Sequence, residues 1–228
     1  MLIRVGLEYI VKERILAWGL DFPGCFAYGS DDADVMMHFT RNLLEFEEWV
    51  ALHADEPWFQ LVNMDFRIVE AYKNVQQTGI GSSEESTAFF EDDLRPLAVT
   101  ETQNVLNVFR WQREELLNGL EYLPEELLTR EKPGLGGTIL DSLRQLARME
   151  HYYLSCFNPH LPSFQEGRHP FDELEASSVT FEKLLSELTE KAPVLDVKGE
   201  LWSPRKLARR LLWQQRVRID EIKALAGV

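Results

Sequence analysis

The sequence predicts an α+β protein, with a small N-terminal β-β-α-β unit followed by an up-down four-helix bundle. The hydrophobic pattern predicts this division, because apolar residues alternate with a period near two in the first part and recur about every 3.6 residues in the second. We therefore place a domain boundary between residues 1–95 and residues 96–228. The chain has 228 residues, 45% of them hydrophobic, which is enough to bury one large core or two small ones.

The N-terminal unit begins with two β-rich runs, MLIRVGLEYI and RILAWGLDF, which we expect to form a hairpin. Gly24, Gly29 and an SDD cluster then break the chain, and Ser30 or Asp31 can cap a helix over residues 33–52. A further strand is predicted in FQLVNMDFRIVEAY. The turn TGIGSSEES and a short strand in STAFFEDD complete a β-β-α-β-β order.

Four stretches with helical periodicity follow. They are VTETQNVLNVFRWQREELLNGLEYL, GTILDSLRQLARMEHYYLSCF, FDELEASSVTFEKLLSELTEKA and SPRKLARRLLWQQRVRIDEIKALA. Thr100 and Gln103 have capping-box spacing at the start of the first helix, and Ser203 followed by Pro204 starts the fourth. The stretch NPHLPSFQEGRHP is a long connection between the second helix and the third. Four helices with one long connection predict a four-helix bundle.

Charge and cysteine content exclude several classes of protein. The formal charge of −14 argues against a nucleic-acid partner, because nucleic-acid affinity comes mainly from Lys and Arg that neutralise phosphates. Cys25 and Cys156 are too isolated to form a disulfide framework or a zinc knuckle. The sequence has neither a signal-peptide pattern nor an apolar run of about 18 residues. We therefore expect a soluble cytoplasmic protein without a membrane partner.

The fourth bundle helix has polar residues on its apolar side. On a helical wheel, Gln214 and Arg218 lie on the same side as Leu207 and Leu211, so we expect both to point inward. Most basic residues of this helix cluster on the opposite side, and we expect that side to be solvated. They are Arg205, Arg209, Arg216 and Lys223.

An inward polar pair at this spacing often binds a metal in helical bundles, but these two residue types do not. Glutamine is a weak neutral ligand, and arginine keeps its proton and cannot coordinate a cation. We therefore expect no metal and no cofactor at Gln214 and Arg218.

The last 130 or so residues resemble the DinB-like superfamily of four-helix bundles, whose last helix usually reads W-S-x-R-K-x-L-R-R-x-x-W-H-E-R-x-H. The matching anchors are Trp202, Ser203, Arg205, Lys206, Arg210, Trp213 and Arg216. In that family three inward histidines bind a divalent metal, and members with intact sites include thiol-dependent transferases and isomerases. By position, the three ligands fall on Gln145, Gln214 and Arg218. The resemblance therefore implies a bundle with a degenerate metal site, and it also implies a homodimer.

The N-terminal part resembles the HicB-like antitoxin fold over LAWGLDFPGCFAYGSDDADVMMHF. Pro23, Gly24, Cys25 and Gly29 carry the resemblance, and residues 32–34 stand where that family often has Glu-Glu-Ala. The resemblance implies toxin binding, a dimerisation module, or a reused scaffold without antitoxin function.

The candidate site combines these inward positions. Glu150 lies on the apolar stripe of its helix and needs a partner if it is buried, and Arg218 is the natural one. The polar set is interpreted as a structural network that replaces the metal or, alternatively, as a pocket for a small acidic or thiol ligand. It comprises Gln145, Glu150, Gln214 and Arg218, with His151 and Trp213 as weaker members.

Three functions remain open at this point. The leading one is a non-catalytic ligand-binding or protein-interaction module. The second is a thiol-dependent transferase or hydrolase acting in the bundle pocket, for which Glu150 or His151 would supply the base. The third is an antitoxin-type regulator that works through the N-terminal domain.

Overall fold

A computed structural model describes residues 1–10, 14–73, 88–132 and 137–227. Within these residues an N-terminal β-sheet precedes a mainly helical part, which confirms the predicted α+β class. No helix in the described part of the chain is both long enough and apolar enough to cross a membrane.

The N-terminal sheet has four strands, in the spatial order β3-β2-β1-β4. They are β1 (Leu2–Ile10), β2 (Arg14–Gly19), β3 (Phe26–Gly29) and β4 (Asp65–Lys73). The predicted hairpin is confirmed, because β1 and β2 pair antiparallel. Strand β3 is a difference from the prediction, which placed only chain-breaking residues there. Strand β4 lies parallel to β1 at the other edge.

Helix α1 (Asp32–His53) connects β3 to β4 and covers one face of the sheet. It begins where predicted, because the side chain of Asp31 accepts a hydrogen bond from the backbone N–H of Asp34 at 2.9 Å. Five apolar side chains at helical spacing form its buried stripe: Val35, Phe39, Leu43, Phe46 and Val50.

The short strand predicted in STAFFEDD is wrong for the described residues. The predicted turn TGIGSSEES and the first two residues of STAFFEDD lie outside the described part of the chain, and Glu91–Leu94 forms a 3₁₀ turn. The backbone N–H of Phe90 donates to the Asp93 carboxylate at 2.8 Å, which stabilises this turn. The Phe90 ring lies directly over Gly6, where an added Cβ would come within 2.8 Å of it. This segment therefore crosses the face of the sheet instead of extending it.

The C-terminal part contains the four predicted long helices and one short additional one. They are α2 (Val99–Leu117), α3 (Glu125–Leu128), α4 (Ile139–Phe157), α5 (Pro170–Leu188) and α6 (Pro204–Ala226). The predicted start of α6 is confirmed, because Ser203 Oγ accepts from the N–H of Lys206 at 3.2 Å. Thr100 is not the cap of α2. Glu101 instead accepts from the N–H of Ala98 at 2.9 Å, so Ala98 is the N-cap and the helix begins at Val99, two residues earlier than predicted.

The helices run up, down, down and up, so the predicted up-down alternation is wrong. Helices α2 and α6 are parallel, because later residues of α2 contact later residues of α6. Helix α4 is antiparallel to α6, and α5 is antiparallel to α2, because in both pairs later residues of one helix contact earlier residues of the other. Helices α4 and α5 are therefore parallel to each other. The pairs are Glu101 with Arg205 and Glu115 with Arg216, then Ser142 with Glu221 and Tyr153 with Arg210, then Thr102 with Thr189 and Arg110 with Glu182.

The long connection makes this order possible. His151 Nε2 bonds to the carbonyl of Pro162 at 2.7 Å, and Arg148 pairs with Glu166, so residues 158–169 run back along α4. The 19 residues of α4 span about 28 Å, which roughly a dozen extended residues can cover. The chain thus returns to the level at which α4 began before it enters α5.

Helix α6 lies between the other bundle helices and the sheet, so the first half of its basic side is buried and not solvated as predicted, whereas Arg216 is half-buried and Lys223 is exposed. Arg205 and Arg209 are only 6% and 7% exposed. The ring of Trp213 packs edge-on against that of Trp18 on β2, with 5.8 Å between the ring centroids. The largest hydrophobic core continues from the sheet into the bundle and contains, for example, both Val5 and Leu207. The boundary placed at residue 95 stays a prediction.

A small hairpin that the sequence did not predict precedes α6. It consists of β5 (Leu195–Val197) and β6 (Glu200–Trp202), which pair antiparallel.

Candidate functional site

The three positions that align with metal ligands in the DinB-like resemblance differ in their surroundings. Gln145 is exposed, so the expectation that it lies inside the bundle is wrong. Gln214 is buried, and its Nε2 donates to the hydroxyl of Tyr153 at 3.3 Å. Arg218 is mostly buried and pairs with Glu221 on its own helix. Two of the three polar groups are thus bonded to the protein, and the third faces solvent.

Glu150 is fully buried, as expected, but its partner is Arg113 on α2 and not Arg218. Arg113 Nη2 donates to the two carboxylate oxygens of Glu150 at 2.6 and 2.7 Å. Ser177 on α5 donates its hydroxyl hydrogen to Glu150 Oε2. Arg113 outcompetes Arg218 because its helix brings it next to Glu150, whereas Arg218 lies beside Glu221.

Arg113, Glu150 and Ser177 form a buried polar cluster that we call the polar floor. It joins α2, α4 and α5 in the interior of the bundle. Sequence reasoning missed Arg113 and Ser177. A signal for Arg113 was present, because it follows Phe109 by four residues and precedes Leu116 by three, so it lies on the buried stripe of α2.

A groove lies between α2 and α5, and we call it the seam groove. Of the polar floor, Arg113 lines it. At one end of it α2 and α5 are in contact, because the rings of Phe109 and Phe181 lie 4.7 Å apart between centroids. The groove has a volume of about 340 Å³. Its lining consists of Arg113, Leu117, Leu174, Glu175, Ser178, Val179 and Glu182.

The guanidinium of Arg113 has hydrogen-bonding capacity beyond its ion pair. The side chain is 10% exposed, and only Nη2 contacts Glu150. Nε and Nη1 are buried and have no hydrogen-bond partner among the described residues. Glu182, on the opposite wall, is paired with Arg110 at 2.6 Å. The site therefore combines apolar walls with a cationic group in which two N–H-bearing nitrogens lack a described partner.

The two weaker candidates lie outside the groove lining. Nε2 of His151 is hydrogen-bonded to the carbonyl oxygen of Pro162 in the long connection. Trp213 Nε1 donates to the hydroxyl of Tyr28 at 2.9 Å, so this side chain faces the sheet. Both residues have structural partners, and neither lines the seam groove.

Two other ionisable groups that could act in catalysis, Lys206 and Cys156, are buried. Burial lowers the pKa of Lys206 to about 8, against the opposing effect of Glu200, whose Oε1 lies 2.8 Å from Nζ. The Lys206 side chain is, however, fully buried, so a substrate cannot reach it. Burial and the charge of Glu200 raise the pKa of the Cys156 thiol to about 11, which disfavours the reactive thiolate. Within the described ranges no three His, Cys, Asp or Glu side chains are arranged to hold a metal ion.

Comparison with known proteins adds no assignment. No protein-family model matches the sequence, and no curated protein or solved structure is detectably similar to it.

Proposed function

We propose that this protein is a non-catalytic binding module that takes a small organic ligand in the seam groove. The observation that carries the proposal is the composition of the groove: apolar walls surround a buried guanidinium whose Nε and Nη1 have no described partner. Small-molecule sites typically combine predominantly apolar walls with a few well-placed polar groups. The groove replaces the pocket around Gln145 and Arg218 as the candidate site.

The positions of the two candidate bases, Glu150 and His151, favour a binding function over a catalytic one. Glu150 accepts hydrogen bonds from both Arg113 and Ser177, so proton abstraction would require it to give up a buried ion pair. His151 lies outside the groove and is engaged with a backbone carbonyl. A general base must come within hydrogen-bond reach of the proton that it removes, and neither group meets this condition in the groove.

The binding proposal is tested with cyclohexanol as a neutral probe. In an amide chemical-shift titration to about 20 mM, we expect saturable shifts at residues of α2 and α5 that line the groove, because the probe is small enough for it. Val179→Trp should abolish the shifts by filling the groove. Val194→Trp is the matched control, because Val194 is an exposed valine in a loop outside the groove lining. Shifts that do not saturate, or that persist in Val179→Trp, would contradict the proposal.

The degenerate metal site that the resemblance implies is tested by metal analysis of the purified protein. The DinB-like resemblance, with Gln and Arg at the ligand positions, leads us to expect no stoichiometric zinc or nickel. One equivalent per chain that is lost on Gln214→Ala would contradict this expectation.

The resemblance also leads us to propose a homodimer. Sedimentation equilibrium should then give twice the 26.5 kDa mass of the chain, whereas a monomer mass at all concentrations would refute it.

A further inference from the structure

We infer that the seam groove selects an uncharged ligand that combines an apolar body with a carbonyl-type oxygen, which accepts a hydrogen bond from Arg113. The inference rests on the proposed function, because it names the class of ligand for the same site.

The acceptor follows from the hydrogen bonds of Arg113. A guanidinium has five N–H donors, and those on Nη2 are directed at Glu150. The donors on Nε and Nη1 are buried without a described partner. Buried donors without acceptors are costly, so a ligand oxygen that satisfies one of them gains affinity. A carbonyl oxygen can accept from one of these two N–H groups; because Nε–H and Nη1 lie on opposite sides of the planar guanidinium, a single oxygen does not accept from both.

The absence of ligand charge follows from the charges already present. Arg113 is neutralised by Glu150, and Arg110 by Glu182. The remaining charged residue of the lining is Glu175, which is exposed. An anionic ligand would therefore lose its hydration and meet a local excess of negative charge. A cationic ligand would have its charged group next to Arg113, so neither sign of charge is favoured.

The apolar body follows from the walls. Leu117, Leu174 and Val179 contribute apolar surface to the groove. The side chain of Val179 is 68% exposed, so it can contact a ligand there. The volume of about 340 Å³ is near the lower limit of small-molecule sites, which range from about 300 to 1,000 Å³. A single ring with one polar substituent fits this space.

The experiment compares three probes that share one ring and differ in charge. Cyclohexanecarboxamide, cyclohexanecarboxylate and cyclohexylmethylammonium are titrated at pH 7 against the full-length protein, with amide chemical shifts as the readout. We expect the carboxamide to bind at least about fivefold more tightly than either charged probe. Val179→Trp should weaken carboxamide binding by at least about tenfold by filling the groove, and the control Val194→Trp should leave it unchanged.

Arg113→Lys tests the anchoring residue. In the wild type we expect the carboxamide to bind more tightly than cyclohexanol, because its carbonyl oxygen accepts from Arg113. Lysine keeps a positive charge beside Glu150 but lacks the Nε–H and Nη1–H donors, so this preference should disappear in Arg113→Lys. A preference that survives in Arg113→Lys shows that Arg113 is not the anchor and overturns the inference. Should Arg113→Lys fail to fold, Val179→Trp and the order of the three probes still decide the question.

Two failures are distinguishable. Carboxylate binding as tightly as carboxamide overturns the ligand class but leaves the groove as a binding site. Lack of saturable binding by all three probes and by cyclohexanol overturns the proposed function as well.

Discussion

Arg209 and Asp93 form a buried ion pair between α6 and the segment that crosses the sheet. Nη1 and Nη2 of Arg209 donate to the two oxygens of Asp93 at 2.6 and 2.9 Å, and Asp93 is fully buried. Nη2 also donates to the carbonyl of Ala88, and the guanidinium lies 4.8 Å from the ring centroid of Phe90. The pair therefore fastens the bundle to the N-terminal sheet.

Asp93→Asn should destabilise the protein by about 3–5 kcal/mol, because it leaves the charge of Arg209 buried without a counter-ion. Urea-induced unfolding measures the change. The matched control is Glu45→Gln, which removes an ion pair with Arg41 in which both side chains are about two-thirds exposed. The control should change stability by less than about 1 kcal/mol. Equal effects of the two substitutions would show that the Arg209 pair does not fasten the two parts together.

The burial and the partner of Arg209 could not be predicted from the sequence. The helical wheel sorted α6 into an apolar side and a basic side, and the extent of the helix was predicted closely because Ser203 and Pro204 mark its start. A wheel cannot show that a second layer, the sheet, covers the basic side. Nor can it show that Asp93, more than a hundred residues away, supplies the compensating charge.

Acid should weaken the same contact region through Asp92. Burial alone would raise the pKa of Asp92, but the hydrogen bond from Arg4 and the charge of Arg205 outweigh it and hold the pKa below its ordinary value of 3.8. A carboxyl group whose pKa is lower in the folded state stabilises the protein above its unfolded pKa. This contribution is lost as the pH falls below about 3.8, through the lower pKa of the folded state.

Thermal unfolding at several pH values between about 2 and 6 tests this prediction. The melting temperature of the wild type should fall more steeply below pH 4 than that of Asp92→Asn, which has no carboxyl group to titrate at this position. Parallel curves for the two proteins would rule out a stabilising role for the ionised Asp92.

The candidate site was predictable in part. The position of Glu150 on an apolar stripe predicted a buried carboxylate in need of a cation, and the structure confirms both points. The identity of the cation was not predictable, because Arg113 and Arg218 both lie on helices that face α4. Which one reaches Glu150 depends on the directions and relative heights of the helices. The parallel arrangement of α4 and α5, which also brings Ser177 to Glu150, was not visible in the sequence either.

Two arginine substitutions distinguish these partners. Arg113→Met should cost about 3–5 kcal/mol of unfolding free energy, because it leaves Glu150 charged and fully buried. Arg218→Met should cost less than about 1 kcal/mol, since its partner Glu221 is 36% exposed and can be hydrated. Equilibrium unfolding of both variants gives the comparison. A larger loss for Arg218→Met would indicate that Arg218 and not Arg113 neutralises Glu150.

Gly29 is a steric requirement of the N-terminal unit. A Cβ added at Gly29 would lie 2.3 Å from the backbone nitrogen of Val35 and 2.5 Å from its Cα. Because these are backbone atoms in the first turn of α1, the clash cannot be relieved by a side-chain rotation. Gly29→Ala should therefore push α1 away from β3 and cost about 3 kcal/mol or more, at the upper end of the overpacking range.

Alanine substitutions at two further glycines allow the losses of stability to be ranked. Gly6→Ala would meet the Phe90 ring at 2.8 Å, and because a ring can shift, the loss should be about 1–2 kcal/mol. Gly167→Ala meets nothing within 4 Å and should change stability by less than about 1 kcal/mol. Urea unfolding of the three variants should rank the losses as Gly29, then Gly6, then Gly167. A loss at Gly29 no greater than that at Gly167 would mean that α1 does not pack as closely on β3 as described, since only that close contact makes the methyl group costly.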